Sequence, residues 1–117
     1  MPHILLVEDT PDVRQVLTMA LESEAHTVEM AATRATGQAL ISDRPFDLMI
    51  ADVLLPDGDS FDLTEIADRR NIPSLLITGD LETSNRMASQ GRPCLTKPFT
   101  VDALLAAVAA VIGRAAA

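Results

Sequence analysis

Residues 4–9 read Ile-Leu-Leu-Val-Glu-Asp, an unbroken apolar run that ends in two acidic residues. Four consecutive apolar residues are typical of a strand that helices cover on both faces, as in the middle of a parallel sheet. Pro11 then opens an amphipathic helix, because apolar residues recur at helical spacing from Val13 to Leu21. The chain is therefore predicted to start with a buried strand followed by a helix, with the acidic pair at the turn between them.

The same alternation continues to the end of the chain. Further strands are predicted at residues 26–31, 47–51, 74–78 and 94–96, and helices at residues 11–24, 34–43, 59–69, 82–89 and 101–112. Parallel strands need a crossover, and a helix supplies it when the connections are short. The sequence thus predicts an α/β fold in which helices cover both faces of a doubly wound five-stranded parallel sheet.

Composition narrows the class of protein. The chain has 117 residues and is 48% apolar, which fits one domain over residues 1–117, with an alanine-rich tail from Arg114 that is expected to fray. A net charge of -8 without a basic cluster argues against a nucleic-acid partner. The longest apolar stretch, residues 103–112, is shorter than the roughly 20 residues of a spanning helix, so no membrane partner is predicted. The N-terminus lacks the basic start of a secretion signal, and the predicted location is cytoplasmic.

Chemically active residues follow the ends of four predicted strands. Glu8 and Asp9 follow the first strand, Asp52 the third, Thr78 ends the fourth, and Lys97 follows the fifth. The carboxyl ends of parallel strands form the ligand crevice of such sheets, so these side chains are expected to lie close together. Crowded carboxylates suit Mg²⁺, and an aspartate can attack phosphorus when cations neutralise the transferring oxygens. The pattern favours phosphoryl transfer to Asp52, assisted by Mg²⁺ and Lys97.

Four segments, in this order, resemble the receiver domains of response regulators, and the resemblance covers the whole chain. The segments are Leu5–Asp9, Asp52–Gly58, Ile77–Gly79 and Lys97–Phe99. The resemblance implies a flavodoxin-like (βα)5 receiver fold with strand order 2-1-3-4-5. It also implies a single-domain response regulator in two-component phosphorelay signalling. Such a protein is a phosphoacceptor switch with self-catalysed transfer and slow self-dephosphorylation, and is not classed as an enzyme.

The resemblance further implies a role for each site residue. Asp52 would be the phosphoacceptor, and Asp9, Asp52 and the backbone carbonyl of Leu54 would bind Mg²⁺ directly. Glu8 would act on the metal through water.

The other implied roles concern the phosphoryl group. Thr78 would hydrogen-bond this group and Lys97 would pair with another of its oxygens, while Gly79 would leave room for the phosphodonor. The peptide bond between Lys97 and Pro98 would be cis. The implied partners are a sensor histidine kinase or a histidine phosphotransfer protein, and an unknown downstream protein.

Two departures from the family concern the output. Cys94 stands three residues before Lys97, where the family usually carries Tyr or Phe, so the usual aromatic relay is missing. We interpret Cys94 as a buried apolar filler and not as a redox sensor. The stretches on both sides of Thr78 are shorter than the family norm, which predicts abbreviated third and fourth helices. The closing helix carries no charge between Asp102 and Arg114, which indicates a partner face or a weak homodimer.

Other interpretations remain open. A phosphatase of the haloacid-dehalogenase type would need Asp-x-Asp after its first strand, which this sequence lacks. Residues 57–59 superficially resemble a calcium loop, but the remaining ligands are missing, so a turn and a helix cap are predicted there. A phosphorylation-independent adaptor would keep the fold and dock through the closing helix, although the complete acidic set argues against it. The chain could also be a receiver module excised from a longer response regulator or a hybrid histidine kinase.

Overall fold

A computed structural model describes residues 2–116 of the chain. The strands are β1 (His3–Val7), β2 (Thr27–Ala31), β3 (Leu48–Asp52), β4 (Leu54–Leu55), β5 (Gly58–Asp59), β6 (Ser74–Thr78) and β7 (Cys94–Thr96). The helices are α1 (Pro11–Ser23), α2 (Arg34–Asp43), α3 (Phe61–Arg69), α4 (Leu81–Ser89) and α5 (Val101–Ala116). The predicted alternation of strand and helix is confirmed.

Five parallel strands form the central sheet in the order β2-β1-β3-β6-β7. This is the predicted order 2-1-3-4-5, because β4 and β5 pair in a separate antiparallel ribbon and only shift the numbering. The chain winds to one side from β1 to β2 and to the other side from β3 onward, so the strand order reverses between β1 and β3. Ligands of such sheets bind at this reversal, outside the carboxyl ends of the strands.

Several element boundaries differ from the predicted ones, most of them by a single residue. Asp59, predicted as the first residue of the third helix, lies in β5 because it pairs with Leu54, and α3 begins at Phe61. The third strand runs one residue further than predicted and includes Asp52. The last helix continues to Ala116, as the high helix propensity of alanine favours, so the backbone of the predicted tail is helical up to that residue. Ala117 lies outside the described residues.

Side chains of β1 alternate between two hydrophobic clusters, one on each face of the sheet. Leu5 and Val7 pack into the cluster that includes residues of α2 and α3, and Ile4 and Leu6 into the cluster that includes residues of α1 and α5. All four side chains are completely buried. The unbroken apolar run therefore reflects coverage of the sheet on both faces.

The outer helices leave surfaces of different kinds. The helices α3 and α4 have nine residues each and are the shortest of the five, and their abbreviation relative to the family stays a prediction. In α5, Leu104 and Val108 are fully buried, whereas Ala106 and Ala109 are exposed. The exposed face of this helix is therefore apolar but presents small side chains. The partner face and the weak homodimer stay predictions. Over residues 2–116, no helix combines the length and the apolar character needed to cross a membrane.

Close packing of α2 on the sheet depends on Gly37. A Cβ atom at this position would lie 3.1 Å from Cγ2 of Val7 and 3.3 Å from Cδ1 of Leu63. The substitution Gly37→Leu is expected to lower the free energy of unfolding by about 1–3 kcal/mol, because the added atoms must displace both neighbours. Urea unfolding followed by circular dichroism measures the change.

Gly113 offers a matched control for this substitution. It is also helical, but a Cβ atom there would meet no atom within 4 Å. Gly113→Leu is expected to preserve or raise the stability, since leucine is the better helix former. Equal losses of stability in the two variants would contradict the packing at Gly37.

Candidate functional site

Three carboxylates meet at the carboxyl edge of the sheet. Glu8 and Asp9 follow β1 and Asp52 ends β3, and one oxygen of each lies within 4.8 Å of the others. Glu8 is completely buried, Asp52 is 6% exposed and Asp9 is half-buried. Negative charges that are crowded and removed from water must be compensated by protons or by cations. The three acidic residues predicted to share a site are thus brought together.

Lys97 supplies one of these cations. Its Nζ donates a hydrogen bond to Oδ2 of Asp52 at 3.0 Å and lies 3.7 Å from Oε2 of Glu8. Burial lowers the pKa of Lys97, but the Asp52 and Glu8 carboxylates outweigh burial and raise this pKa above its usual range. The Lys97 N–H donates to the carbonyl of Thr78 at 2.8 Å, which attaches this end of β7 to β6. The Lys97–Pro98 peptide bond is cis, as the family resemblance implies.

One ammonium group does not compensate three carboxylates. Burial and the neighbouring Glu8 raise the pKa of Asp52 to about 7, in spite of the opposing effect of Lys97. In addition, Oε2 of Glu8 is buried and accepts no hydrogen bond from the described residues. A divalent cation would provide both the missing partner and the missing charge. The cluster could therefore bind a metal, and its all-oxygen donor set fits a hard cation such as Mg²⁺.

Asp52→Asn is expected to stabilise the metal-free protein at about pH 8 by roughly 1–3 kcal/mol. The pKa of Asp52 rises from 3.8 to about 7 on folding, so the folded state binds the proton more tightly. The stability contributed by the protonated carboxyl is present below about pH 4 and is lost as the pH rises through about 7. The advantage of the variant should therefore grow between these values.

Thermal unfolding in EDTA at several pH values measures this effect. Asp102→Asn is the control, because Asp102 is an exposed carboxylate in the first turn of α5. A difference between Asp52→Asn and the wild type that stays constant across the pH range would show that the pKa of Asp52 is not raised.

Thr78 and Gly79 lie at the end of β6, beside the carboxylate cluster. The pairing of β3 with β6 places Thr78 one residue beyond the level of Asp52. The Thr78 side chain is buried, and its Oγ1 accepts the N–H of Asp80 at 3.1 Å. Gly79 is exposed, and a Cβ atom added there would meet no atom within 4 Å. The space beside Gly79 is therefore open, while the roles of both residues toward a phosphoryl group stay predictions.

The segment after Asp52 turns through the ribbon of β4 and β5. Leu54 pairs with Asp59, and the hydrogen bond from the Ser60 N–H to the Val53 carbonyl, 2.9 Å long, flanks this pair. In an antiparallel ribbon, two paired residues that are flanked by such a bond do not hydrogen-bond to each other. The Leu54 carbonyl therefore accepts no hydrogen bond from Asp59. Its predicted role as a metal ligand stays a prediction.

Asp57 attaches the ribbon to a helix that is distant in sequence. Its carboxylate accepts the N–H groups of Arg34 at 2.8 Å and Ala35 at 3.0 Å at the start of α2, and these bonds lower the pKa of Asp57. Asp59 accepts the N–H of Phe61 at 3.1 Å, at the start of α3. Both aspartates thus accept N–H groups at the start of a helix, although the N-cap residues themselves are Thr33 in α2 and Ser60 in α3.

Cys94 lies in β7 next to α4. Burial raises the pKa of the Cys94 thiol, in spite of the hydrogen bond with Ser84. A raised pKa disfavours the reactive thiolate, which supports the filler interpretation. Ser84 also shares a hydrogen bond of 2.5 Å with Thr96, so a pair of hydroxyl groups connects α4 to β7.

Arg14 touches the loop of the acidic pair but belongs to none of the predicted motifs. Its Nη1 donates to the carbonyls of Glu8 at 2.9 Å and Asp9 at 3.4 Å. No sequence signal points to this role, because a polar residue in the first turn of a helix is ordinary and the partners of Arg14 are backbone carbonyls.

Comparison with known proteins identifies the family. The model of the response regulator receiver domain matches residues 4–109. The chain belongs to this family. The receiver domain is 32% identical to the DNA-binding dual master transcriptional regulator RpaA of Synechocystis, over 97% of this chain and 50% of that protein. It is 33% identical to the transcriptional regulatory protein TcrA of Mycobacterium tuberculosis, over 96% of this chain and 46% of that protein. The chain spans about half the length of these relatives.

Solved structures agree with this assignment. A CheY-like response regulator receiver domain protein from Methanospirillum hungatei superposes with a TM-score of 0.87 at 27% identity, over 99% of this chain and 97% of that one. The non-phosphorylated HemR receiver domain from Leptospira biflexa gives 0.84 at 32% identity, over 96% and 94%. The protein is thus a receiver domain homologous to response regulators of two-component systems. This family consists of phosphoacceptor switches that interact with histidine kinases and downstream effectors, and the acidic cluster fits its phosphorylation site.

Proposed function

We propose that this receiver domain takes a phosphoryl group from a phosphohistidine onto Asp52 in a Mg²⁺-dependent reaction. The observation that carries the proposal is the hydrogen bond between Asp52 and Lys97 within a buried cluster of two further carboxylates. An aspartate that only ended a strand would not need to lie beside two further carboxylates.

The chemistry follows from the positions of the side chains. Ionised Asp52 attacks phosphorus through a carboxylate oxygen, the bond from phosphorus to the imidazole nitrogen of the donor breaks, and that nitrogen keeps the electron pair and takes up a proton from water. Mg²⁺, held by Asp9, Asp52 and the Leu54 carbonyl with Glu8 acting through water, would neutralise charge on the transferring oxygens. Lys97 then exchanges its hydrogen bond with the Asp52 carboxylate for one with a phosphoryl oxygen.

Thr78 and Gly79 complete the proposed site. The Thr78 hydroxyl accepts the N–H of Asp80, and its own proton is available for a phosphoryl oxygen. The open space beside Gly79 gives the donor a route to Asp52. Slow hydrolysis of the acyl phosphate then resets the switch.

The output passes through protein contacts. Asp80 both donates its N–H to Thr78 and caps α4 by accepting the N–H of Thr83 at 3.3 Å. A movement of Thr78 toward the phosphoryl group would disturb this cap, so α4 is the first helix to respond. The domain acts in the cytoplasm, and its partners are a sensor histidine kinase or a histidine phosphotransfer protein and a downstream protein. The sequence has neither a basic cluster for nucleic acid nor an apolar stretch long enough to cross a membrane, so neither is proposed as a partner of this domain.

Incubation with Mg²⁺ and acetyl phosphate, followed by intact-mass measurement, tests the proposal. We expect a single phosphoryl adduct that is absent without Mg²⁺ and absent in Asp52→Asn. The control Asp102→Asn, which removes an equal charge from an exposed site, should keep the adduct.

Two outcomes would count against the proposal. An adduct of the same yield in Asp52→Asn would place the modification elsewhere. No adduct from acetyl phosphate or from a phosphohistidine protein, with the fold intact, would favour the phosphorylation-independent adaptor that docks through α5.

A further inference from the structure

Arg14 lies on α1, and its side chain folds back over the loop between β1 and α1. It is half-buried, and Nη1 donates to the carbonyls of Glu8 and Asp9 at 2.9 Å and 3.4 Å. Among residues 2–116, no other side chain donates a hydrogen bond to the backbone of these two residues. The guanidinium therefore fixes the segment that carries two of the three clustered carboxylates.

The other hydrogen bonds of this loop show what the contacts of Arg14 add. The Glu8 N–H donates to the carbonyl of Ala31 at 2.9 Å, and Oε1 of Glu8 accepts the N–H of Thr10 at 3.2 Å. Glu8 is thus held through its amide, its side chain and, by Arg14, its carbonyl. Asp9 has a weaker hold, because its one hydrogen bond with the described residues is the 3.4 Å bond from Arg14. Arg14 is therefore the side chain that holds the Asp9 backbone among the described residues.

We propose that Arg14 is a positioning residue for the metal site, which holds the Asp9 and Glu8 carboxylates toward Asp52 through their backbone carbonyls. The inference rests on the proposed function, since it takes the carboxylate cluster to be a Mg²⁺ site. Arg14 itself is a cation and cannot be a ligand. It acts on the metal only through the loop, as residues behind the ligands of a metal commonly do.

Charge and position act in opposite directions at Arg14, which makes the inference testable. A positive charge near the cluster repels a second cation, so removing the charge alone would strengthen Mg²⁺ binding. Loss of the two carbonyl contacts would instead free the loop and weaken binding. The sign of the change in affinity separates the two effects.

Calorimetric titration of the full chain with Mg²⁺ provides the measurement. Arg14→Gln is expected to weaken Mg²⁺ binding about tenfold although it removes a repelling charge. Arg14→Lys, which keeps the charge but replaces the planar fork, should fall between this variant and the wild type. The matched control is Arg69→Gln on α3, where the arginine is exposed and makes no side-chain hydrogen bond or ion pair with the described residues. It should bind Mg²⁺ like the wild type.

The outcomes are separable. Unchanged or tighter Mg²⁺ binding by folded Arg14→Gln, with the wild type binding normally, would overturn the role of Arg14 and leave the proposed function in place. A wild type that binds no Mg²⁺ would overturn the proposed function and this inference with it. If Arg14→Gln does not fold, Arg14→Lys decides: several-fold weaker binding supports the inference, and binding equal to the wild type overturns it.

Discussion

Lys97→Ala is expected to slow phosphoryl transfer to Asp52 by about 100- to 1,000-fold at saturating Mg²⁺. Negative charge on the transferring oxygens must be stabilised next to Asp52, which is only 6% exposed. Lys97 is the protein cation within hydrogen-bond distance of Asp52 among the described residues, with Nζ at 3.0 Å. Loss of a fixed charge of this kind costs far more in a buried site than in water.

The rate of adduct formation from acetyl phosphate measures this effect. Saturating Mg²⁺ is needed because removing Lys97 also removes a charge that repels the metal. Lys97→Arg keeps the charge with a different geometry, so its rate should lie between the wild type and Lys97→Ala. A rate for Lys97→Ala within a few-fold of the wild type would show that Lys97 serves only to balance the charge of the resting cluster.

The affinity for Mg²⁺ is expected to rise about tenfold per pH unit below about pH 7 and to level off above it. A carboxylate must lose its proton before it binds a metal, and burial together with Glu8 raises the pKa of Asp52 to about 7. Below this value each bound Mg²⁺ displaces about one proton, and above it none. A surface carboxylate would give no such pH dependence, because it is already ionised throughout this range.

Titration calorimetry in two buffers with different ionisation enthalpies measures the affinity and the protons released together. Asp52→Asn removes the titrating group, so its weaker Mg²⁺ binding should lose the steep pH dependence. A wild-type affinity that stays flat from about pH 5.5 to 8 would contradict a raised pKa of Asp52.

The fold and most of the site could be predicted from local sequence patterns. The apolar run from Ile4 to Val7 indicated a strand covered on both faces, and its side chains do divide between two hydrophobic clusters. The position of Asp52 at a strand end was enough to place it near Glu8 and Lys97, because parallel strands all point their carboxyl ends the same way. This rule needs no knowledge of individual contacts.

Contacts between segments distant in sequence were not readable in this way. Asp57 accepts N–H groups at the start of α2, which begins 23 residues earlier, and nothing in the spacing of residues 57–59 names that partner. The ribbon of β4 and β5 holds Asp59 out of α3, although local propensity alone favours a helix start there. Arg14 acts on backbone carbonyls, which every residue possesses, so its partners leave no mark in the sequence.

The replacement of the usual aromatic by Cys94 directs attention to α4. The hydroxyl pair of Ser84 and Thr96 connects α4 to β7, and Asp80 connects the start of the same helix to Thr78. Both connections are short and polar, so a displacement of Thr78 can be transmitted to α4 without the inward movement of a large side chain. We therefore expect α4 to be the helix that responds first when Thr78 moves.

The most direct test of the central claim is to locate the acyl phosphate itself. Borohydride reduces an aspartyl phosphate to homoserine, and peptide mapping after treatment with acetyl phosphate and Mg²⁺ shows which aspartate was modified. We predict conversion at Asp52 alone, and only in the presence of Mg²⁺. Conversion at Asp9 or another carboxylate, or none at Asp52 in a sample with a confirmed phosphoryl adduct, would contradict the assignment of Asp52 as the phosphoacceptor.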